Sequence, residues 1–179
     1  HRPMTSYVFE GNKFFSLEHC KQEYPAYGTT DFRHPAVELL QPNGSRVTDF
    51  VYHSHTVAAG KPALAGLPAT YCESGDEAET LTVCLKDSLL GASLFLSYTI
   101  FAAQPVIARS ARLENGGSEA LHLTNAMSLC LDLPDSDYEL VHFSGAWSRE
   151  RHQRVRRLEQ GIQSVESTRG HSSHSHNPF

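Results

Sequence analysis

Along residues 79–87, ETLTVCLKD, the apolar Leu81, Val83 and Leu85 alternate with Thr80, Thr82 and Lys86. A period of two sends successive side chains to opposite faces, which predicts a half-buried strand. GASLFLSYTIF (91–101) is long and rich in aromatic and β-branched residues, and predicts a second strand. VELLQPNGSRVTDFVYHSH (37–55) holds two strand-like runs around Pro42-Asn43-Gly44. Proline sets φ and the next two residues tolerate positive φ, so the stretch predicts a hairpin. VIARSARLENGGSEALHLTNAMSLCLDL (106–133) repeats the arrangement around Asn115-Gly116-Gly117 and predicts another. YELVHFSGAW (138–147) and GIQSVEST (161–168) complete the strands. A helix would need apolar residues at i, i+3 and i+4, and these runs mostly lack them. The pattern predicts an all-β fold, a large antiparallel sandwich.

Residues 1–35 are less regular. Within them EYPAYGTTDFRHP (23–35) is dense in proline and glycine and is expected to be a connector. GKPALAGLPATYCESGDEAE (60–79) is expected to be a long ordered loop, of the sort that carries function or covers a neighbouring domain. The length of 179 residues suits one domain spanning 1–179. The chain starts at His1 and ends in HNPF, so it is expected to be a fragment truncated at both ends.

Composition narrows the partners. The formal net charge of −5 argues against nucleic acid. No run of 18 apolar residues occurs, which excludes a membrane-spanning helix. Neither charge nor composition decides between a cytoplasmic and a secreted protein. Cys20, Cys72, Cys84 and Cys130 form no CxxC pair, and their disulfide state is open. Cys84 and Cys130 sit in apolar runs and are expected to be buried free thiols. The sequon at Asn43 coincides with turn chemistry and carries little weight.

The chemistry-bearing stretch is SGAWSRERHQRVRR (144–157). It holds the only tryptophan, Trp147, and five arginines, at 149, 151, 154, 156 and 157. Ser144-Gly145-Ala146 are small and let a backbone approach something closely. An indole at a polar edge can stack on the apolar face of a sugar and donate its N–H to a hydroxyl. The same ring could equally be core. On a strand Arg149 and Arg151 share a face, as do Arg154 and Arg156. They suit a solvated strand, or a seam against an acidic surface through bidentate contacts. In the tail RGHSSHSHNPF (169–179), His171, His174 and His176 lack nearby cysteine or carboxylate, so no metal site is expected. Asp76, Glu77 and Glu79, and Asp132, Asp135 and Asp137, cluster in loops, where turn formation explains them. GxSxG, Walker A, GxGxxG and HExxH are absent, and no cofactor is expected.

EYPAYG, GLPATY, EAETL, SGAW and RGHSSHSHNPF together, in order over nearly the whole chain from about residue 16, resemble the amino-terminal domain of glycoside hydrolase family 36 α-galactosidases. The resemblance implies a large antiparallel β-supersandwich that precedes a (β/α)₈ catalytic barrel absent from this fragment. It implies retaining hydrolysis of terminal α-galactosides of the raffinose and melibiose type, with a carboxylate pair on the barrel. No Lys-Trp-Asp stretch occurs here, so no catalytic residue is assigned. The resemblance implies that Trp147 is substrate-binding, as a wall of the galactose pocket. Arg149 and Arg151 are expected to support the interdomain seam. His174 and Asn177, near the junction with the barrel, are assigned the same interdomain role. The implied partners are α-galactoside oligosaccharides, the barrel of the same chain and further copies, the relatives being tetramers. The alternative is a free-standing carbohydrate-binding or oligomerisation module.

Overall fold

The computed structural model describes residues 22–28, 33–66, 69–133 and 137–166. The chain divides into two compact units, His1–Asp132 and Leu133–Phe179. Among the described residues all regular structure is β apart from one 3₁₀ turn at Gly75–Glu77, and every paired strand is antiparallel.

In the first unit the strands are β1 (Val37–Leu40), β2 (Val51–Ala59), β3 (Ala78–Asp87), β4 (Ala92–Phe101), β5 (Ile107–Asn115) and β6 (His122–Ala126). A four-stranded sheet runs β2-β3-β4-β5, and a two-stranded sheet pairs β1 with β6. One apolar cluster joins the two sheets: Val37 and Leu39 from β1 meet Leu85, Leu94 and Leu96 from β3 and β4, with Tyr24 and Phe50. Leu39 and Leu94 are 0% and 2% exposed.

The β3–β4 hairpin follows from its turn residues. Asp87 Oδ1 accepts the backbone N–H groups of Leu89 and Leu90, each at 3.0 Å. Its Oδ2 accepts the N–H of Asp49 at 2.8 Å, which fixes the approach to β2. Gly91 then takes φ +68°, a conformation that glycine adopts without steric cost.

The two expected hairpins are not formed. The Pro42-Asn43-Gly44 turn is present, with Gly44 N donating to Gln41 O at 2.9 Å and Gln41 N to Ser45 O at 2.9 Å. Residues 45–50 then leave without pairing, and β1 and β2 lie in different sheets. At Asn115-Gly116-Gly117 the chain likewise crosses from one sheet to the other. Gly116 N donates to Gly91 O at 3.0 Å, and a Cβ on Gly117 would lie 2.3 Å from Leu90 O. These glycines serve the packing of one turn on another. A turn motif reverses the chain locally; burial decides which edge the strand then finds. β1 alternates buried and half-buried residues and so goes to the core, whereas β2 is exposed along nearly its whole length.

Residues 23–28 are more than a connector. Tyr24, Pro25 and Ala26 are buried; Pro25 O accepts Ala36 N at 2.7 Å, and Tyr24 Oη donates to Met127 O at 2.6 Å. The expected alternation of β3 also shifts at its start. Thr80 is fully buried while Leu81 is partly exposed. Thr80 Oγ1 donates to Gly60 O at 2.7 Å and lies 2.8 Å from Thr99 Oγ1. With the Thr80 proton committed to Gly60, Thr99 donates to Thr80, and both hydroxyls are satisfied inside the unit. Residues 161–166, expected to begin a strand, have no regular structure.

A polar network ties the first described segment to the large sheet. Glu23 pairs with Arg109 at 2.8 Å and accepts from Tyr98 Oη at 2.9 Å, while the Arg109 guanidinium lies 4.9 Å from the Tyr98 ring centroid. Burial, and then the Glu23 carboxylate, push the Tyr98 hydroxyl up to about 12. In the folded chain Tyr98 keeps its proton above the pH at which the unfolded chain loses it. Its contribution is complete below about pH 10 and is lost as pH climbs to about 12. In an absorbance titration near 295 nm, Tyr98 should ionise late, as should Tyr24, whose hydroxyl burial also raises, and Tyr98→Phe should reduce the amplitude of that late step.

The free cysteines are Cys84, buried, and Cys72 and Cys130, partly buried. Burial raises the Cys130 thiol, with the neighbouring Asp132 charge adding to it. Cys20 lies outside the described residues.

Candidate functional site

The second unit contains one described hairpin, β7 (Glu139–Ala146) with β8 (Arg149–Arg157). The ladder pairs Glu139 with Arg157, Leu140 with Arg156, His142 with Arg154 and Ser144 with His152. Alternation sorts the hairpin into two faces. One carries Leu140, His142 and Ser144 with Arg156, Arg154 and His152. The other carries Val141 and Phe143 with Val155 and Gln153. The register then shifts, and Ala146 pairs with Arg149. Two β8 residues, Glu150 and Arg151, thus face the single Gly145, which is a bulge. Arg151 has φ +57°. The bulge interrupts the simple alternation expected between Arg149 and Arg151.

Gly145 is required at this point. A Cβ there would meet Arg149 O at 2.6 Å and the Glu150 Cα at 2.9 Å. Ser144-Gly145-Ala146 reads as a place where a backbone comes close, and the backbone that does so is the hairpin's own second strand.

Trp147 and Ser148 form the turn at the tip. The Trp147 ring is not core: the residue is 90% exposed. Ser148 has φ +66°, and its N–H donates to Glu150 Oε1 at 2.8 Å. Below the tip a shallow concavity is lined by Ser144, Gly145, Arg149, His152 and Arg154. A second, lined by His142, Arg154, Arg156, Ser164 and Glu166, continues along the same face.

Three of the five arginines are engaged within the unit. Arg154 Nε donates to Ser144 Oγ at 3.3 Å, Arg156 to Ser164 O at 3.1 Å, and Arg157 pairs with Asp137 at 3.0 Å. Arg149 and Arg151 are exposed, and neither has an ion pair or hydrogen-bonding side-chain partner among the described residues. The His142 Nδ1 is buried without a partner. His174 and Asn177 lie outside the described residues.

Glu79 lies in β3 rather than in a loop, and the other described members of the two acidic clusters bond within the fold. Ser74 Oγ donates to Asp76 and to Glu77 around the 3₁₀ turn, and the Ser74 bond holds the Asp76 carboxyl below its ordinary value. Asp132 pairs with Arg33 and accepts Gln22 N at 2.9 Å. Asp137 pairs with Arg157, and Asp135 lies outside the described residues. Among the described residues no three His, Cys, Asp or Glu side chains gather where a metal could bind. Ser148 and Glu150 escaped the pattern reading, and Gly145 reads there as a place of close approach but not as a bulge, although a glycine inside a strand is itself a signal for one.

Comparison with known proteins bears on what this hairpin serves. Residues 2–179 match the family model described as the glycosyl hydrolase family 36 N-terminal domain. The chain is 51% identical over 168 residues to alpha-galactosidase AgaA of Geobacillus stearothermophilus, covering 94% of this chain and 23% of that protein. It is 43% identical over 159 residues to alpha-galactosidase C of Emericella nidulans, covering 89% and 21%. The crystal structure of a Geobacillus stearothermophilus AgaA variant in complex with raffinose superimposes with a TM-score of 0.87 at 48% identity, covering 99% of this chain and 25% of that one. This chain therefore spans about a quarter of the length of the relatives it matches.

Proposed function

The chain belongs to the glycosyl hydrolase family 36 N-terminal domains, and from that premise we propose that it is the amino-terminal domain, over residues 1–179, of an α-galactosidase releasing terminal galactose from α-galactosides. Relatives crystallised with raffinose and stachyose indicate the substrate class. The reaction proceeds with retention, on two carboxylates supplied by a barrel that follows this segment. Such a pair must stand about 5–5.5 Å apart across the scissile bond. Asp76, Asp132 and Asp137 of this chain are engaged in turns and ion pairs instead.

This segment contributes a wall of the sugar pocket. The observation that carries this is the 90% exposed Trp147 at the tip of a hairpin, beside a concavity lined by Ser144, Arg149, His152 and Arg154. An exposed indole costs solvation unless something apolar covers it. The C–H face of a galactose ring is such a surface, and the indole N–H can donate to a hydroxyl at its rim. Arg149 and Arg151, with no partner among the described residues, turn toward the seam with the rest of the enzyme, where carboxylates would meet them in bidentate fashion.

The test is the full-length protein incubated with raffinose and followed by proton NMR of the anomeric region. α-Galactose should appear first and the β anomer only later, by mutarotation. β-Galactose appearing first would remove retention. Binding without release would leave the chain a carbohydrate-binding module, and neither binding nor release would remove the sugar reading altogether.

A further inference from the structure

We propose that Glu150 is the positioning residue for Trp147, fixing the backbone of the tip that aims the indole at a sugar ring; the inference rests on the reading of Trp147 as a pocket wall. The ring is 90% exposed, so packing does little to orient it. Its χ1 and χ2 torsions are little restrained, and where its Cα–Cβ bond points depends on the backbone that carries it. The N–H of Ser148 belongs to the peptide unit that joins Trp147 to Ser148. Fixing that N–H fixes ψ of Trp147 and so the course of the chain through the tip. Glu150 Oε1 accepts this N–H at 2.8 Å.

The surrounding geometry gives that bond something to hold. Ser148 sits at φ +66°, a region that a residue with a Cβ enters only when held there. The bulge supplies the reach. With Gly145 lacking a Cβ, β8 closes on β7, and a Cβ at that position would lie 2.6 Å from Arg149 O. Arg151, at φ +57°, completes the irregularity. Glu150 is less exposed than Ser148, Arg149 and Arg151 around it, as befits a side chain folded back on the turn. Gly145, Ser148 and Glu150 thus act as one device that presents the indole.

A tip already ordered leaves only the ring's own torsions to settle when substrate arrives. Losing the Glu150 carboxylate should therefore weaken binding and leave the chemical step alone. In the full-length enzyme, Glu150→Ala should raise KM for raffinose about 2- to 12-fold, the usual cost of ordering one side chain, with kcat nearly unchanged. Glu150→Gln retains an acceptor oxygen and should restore KM. In a Trp147→Ala background, Glu150→Ala should have no further effect. Labelling with 5-fluorotryptophan gives a readout independent of turnover. The Trp147 fluorine signal, assigned by its loss in Trp147→Phe, should broaden or shift in Glu150→Ala and recover in Glu150→Gln.

An unchanged KM and an unchanged fluorine signal in Glu150→Ala would overturn the proposal. So would an equal KM increase in the Trp147→Ala background, or a failure of glutamine to rescue. Native kinetics in Trp147→Ala together with a perturbed signal in Glu150→Ala would remove the sugar wall and keep the positioning role. The converse pair of results would keep the wall and remove Glu150.

Discussion

Trp147→Ala is expected to lower kcat/KM of the full-length enzyme toward raffinose by about 5- to 150-fold, the equivalent of about 1–3 kcal/mol by analogy with aromatic stacking. In the proposed pocket the indole covers one face of the sugar, and alanine leaves that face to water. The contact exists in the Michaelis complex as well as in the transition state, so most of the change should fall on KM. Trp147→Phe should recover part of it, because a ring remains while the N–H donor is gone. Folding should be nearly untouched, since a residue 90% exposed loses few contacts on truncation. Steady-state kinetics on raffinose and melibiose, with a thermal melt beside them, separate the two effects. Kinetics equal to those of the native enzyme would exclude Trp147 from the pocket.

The largest effect on stability is expected at Leu94. Its side chain is 2% exposed and faces Leu85 and Leu113 across the ladders. It belongs to the cluster through which Leu39 of the small sheet meets the large one. Leu94→Ala removes apolar surface and leaves a cavity that rigid neighbouring strands cannot fill, at a cost of about 2–5 kcal/mol. Hydrogen exchange on β3 and β4 amides in the native full-length protein measures this directly. Protection there should fall by about 30-fold or more, at 1.4 kcal/mol per factor of ten. Leu94→Met, close in volume, should cost under about 1.5 kcal/mol. Equal protection in Leu94→Ala and the native protein would show that the two sheets do not depend on this contact.

Much of the fold was legible, for local reasons. ETLTVCLKD and GASLFLSYTIF show strand composition and period, and they become β3 and β4 paired along their full length. Asp87 before Ser88-Leu89-Leu90-Gly91 makes the hairpin between them. Pro42-Asn43-Gly44 and Asn115-Gly116-Gly117 do turn the chain, yet neither closes a hairpin. Their turn bonds span a few residues, whereas the pairing of β1 with β6 joins Val37 to Ala126. No local rule reaches that far. Thr80 shows the same limit from the other side: its polarity predicts exposure, and only the meeting of Gly60 O and Thr99 Oγ1 makes burial acceptable.

The site divides in the same manner. An unpaired indole among small and charged residues stands out in SGAWSRERH, and the family resemblance rests on residues spread over most of the chain. Whether the ring was core or surface stayed open, because small neighbours are compatible with both. The sequence by itself determined the strand-rich character, the turn positions, the family and the residue proposed to meet the sugar, since each depends on neighbours in the chain or on residue identity. The tertiary structure alone decided which strands share a sheet, that Thr80 is buried, and that Trp147 stands exposed at a bulged tip where Glu150 accepts the Ser148 N–H. Those outcomes depend on backbones from separate stretches meeting within a few ångströms, and such meetings are settled by burial and hydrogen-bond satisfaction across the whole unit.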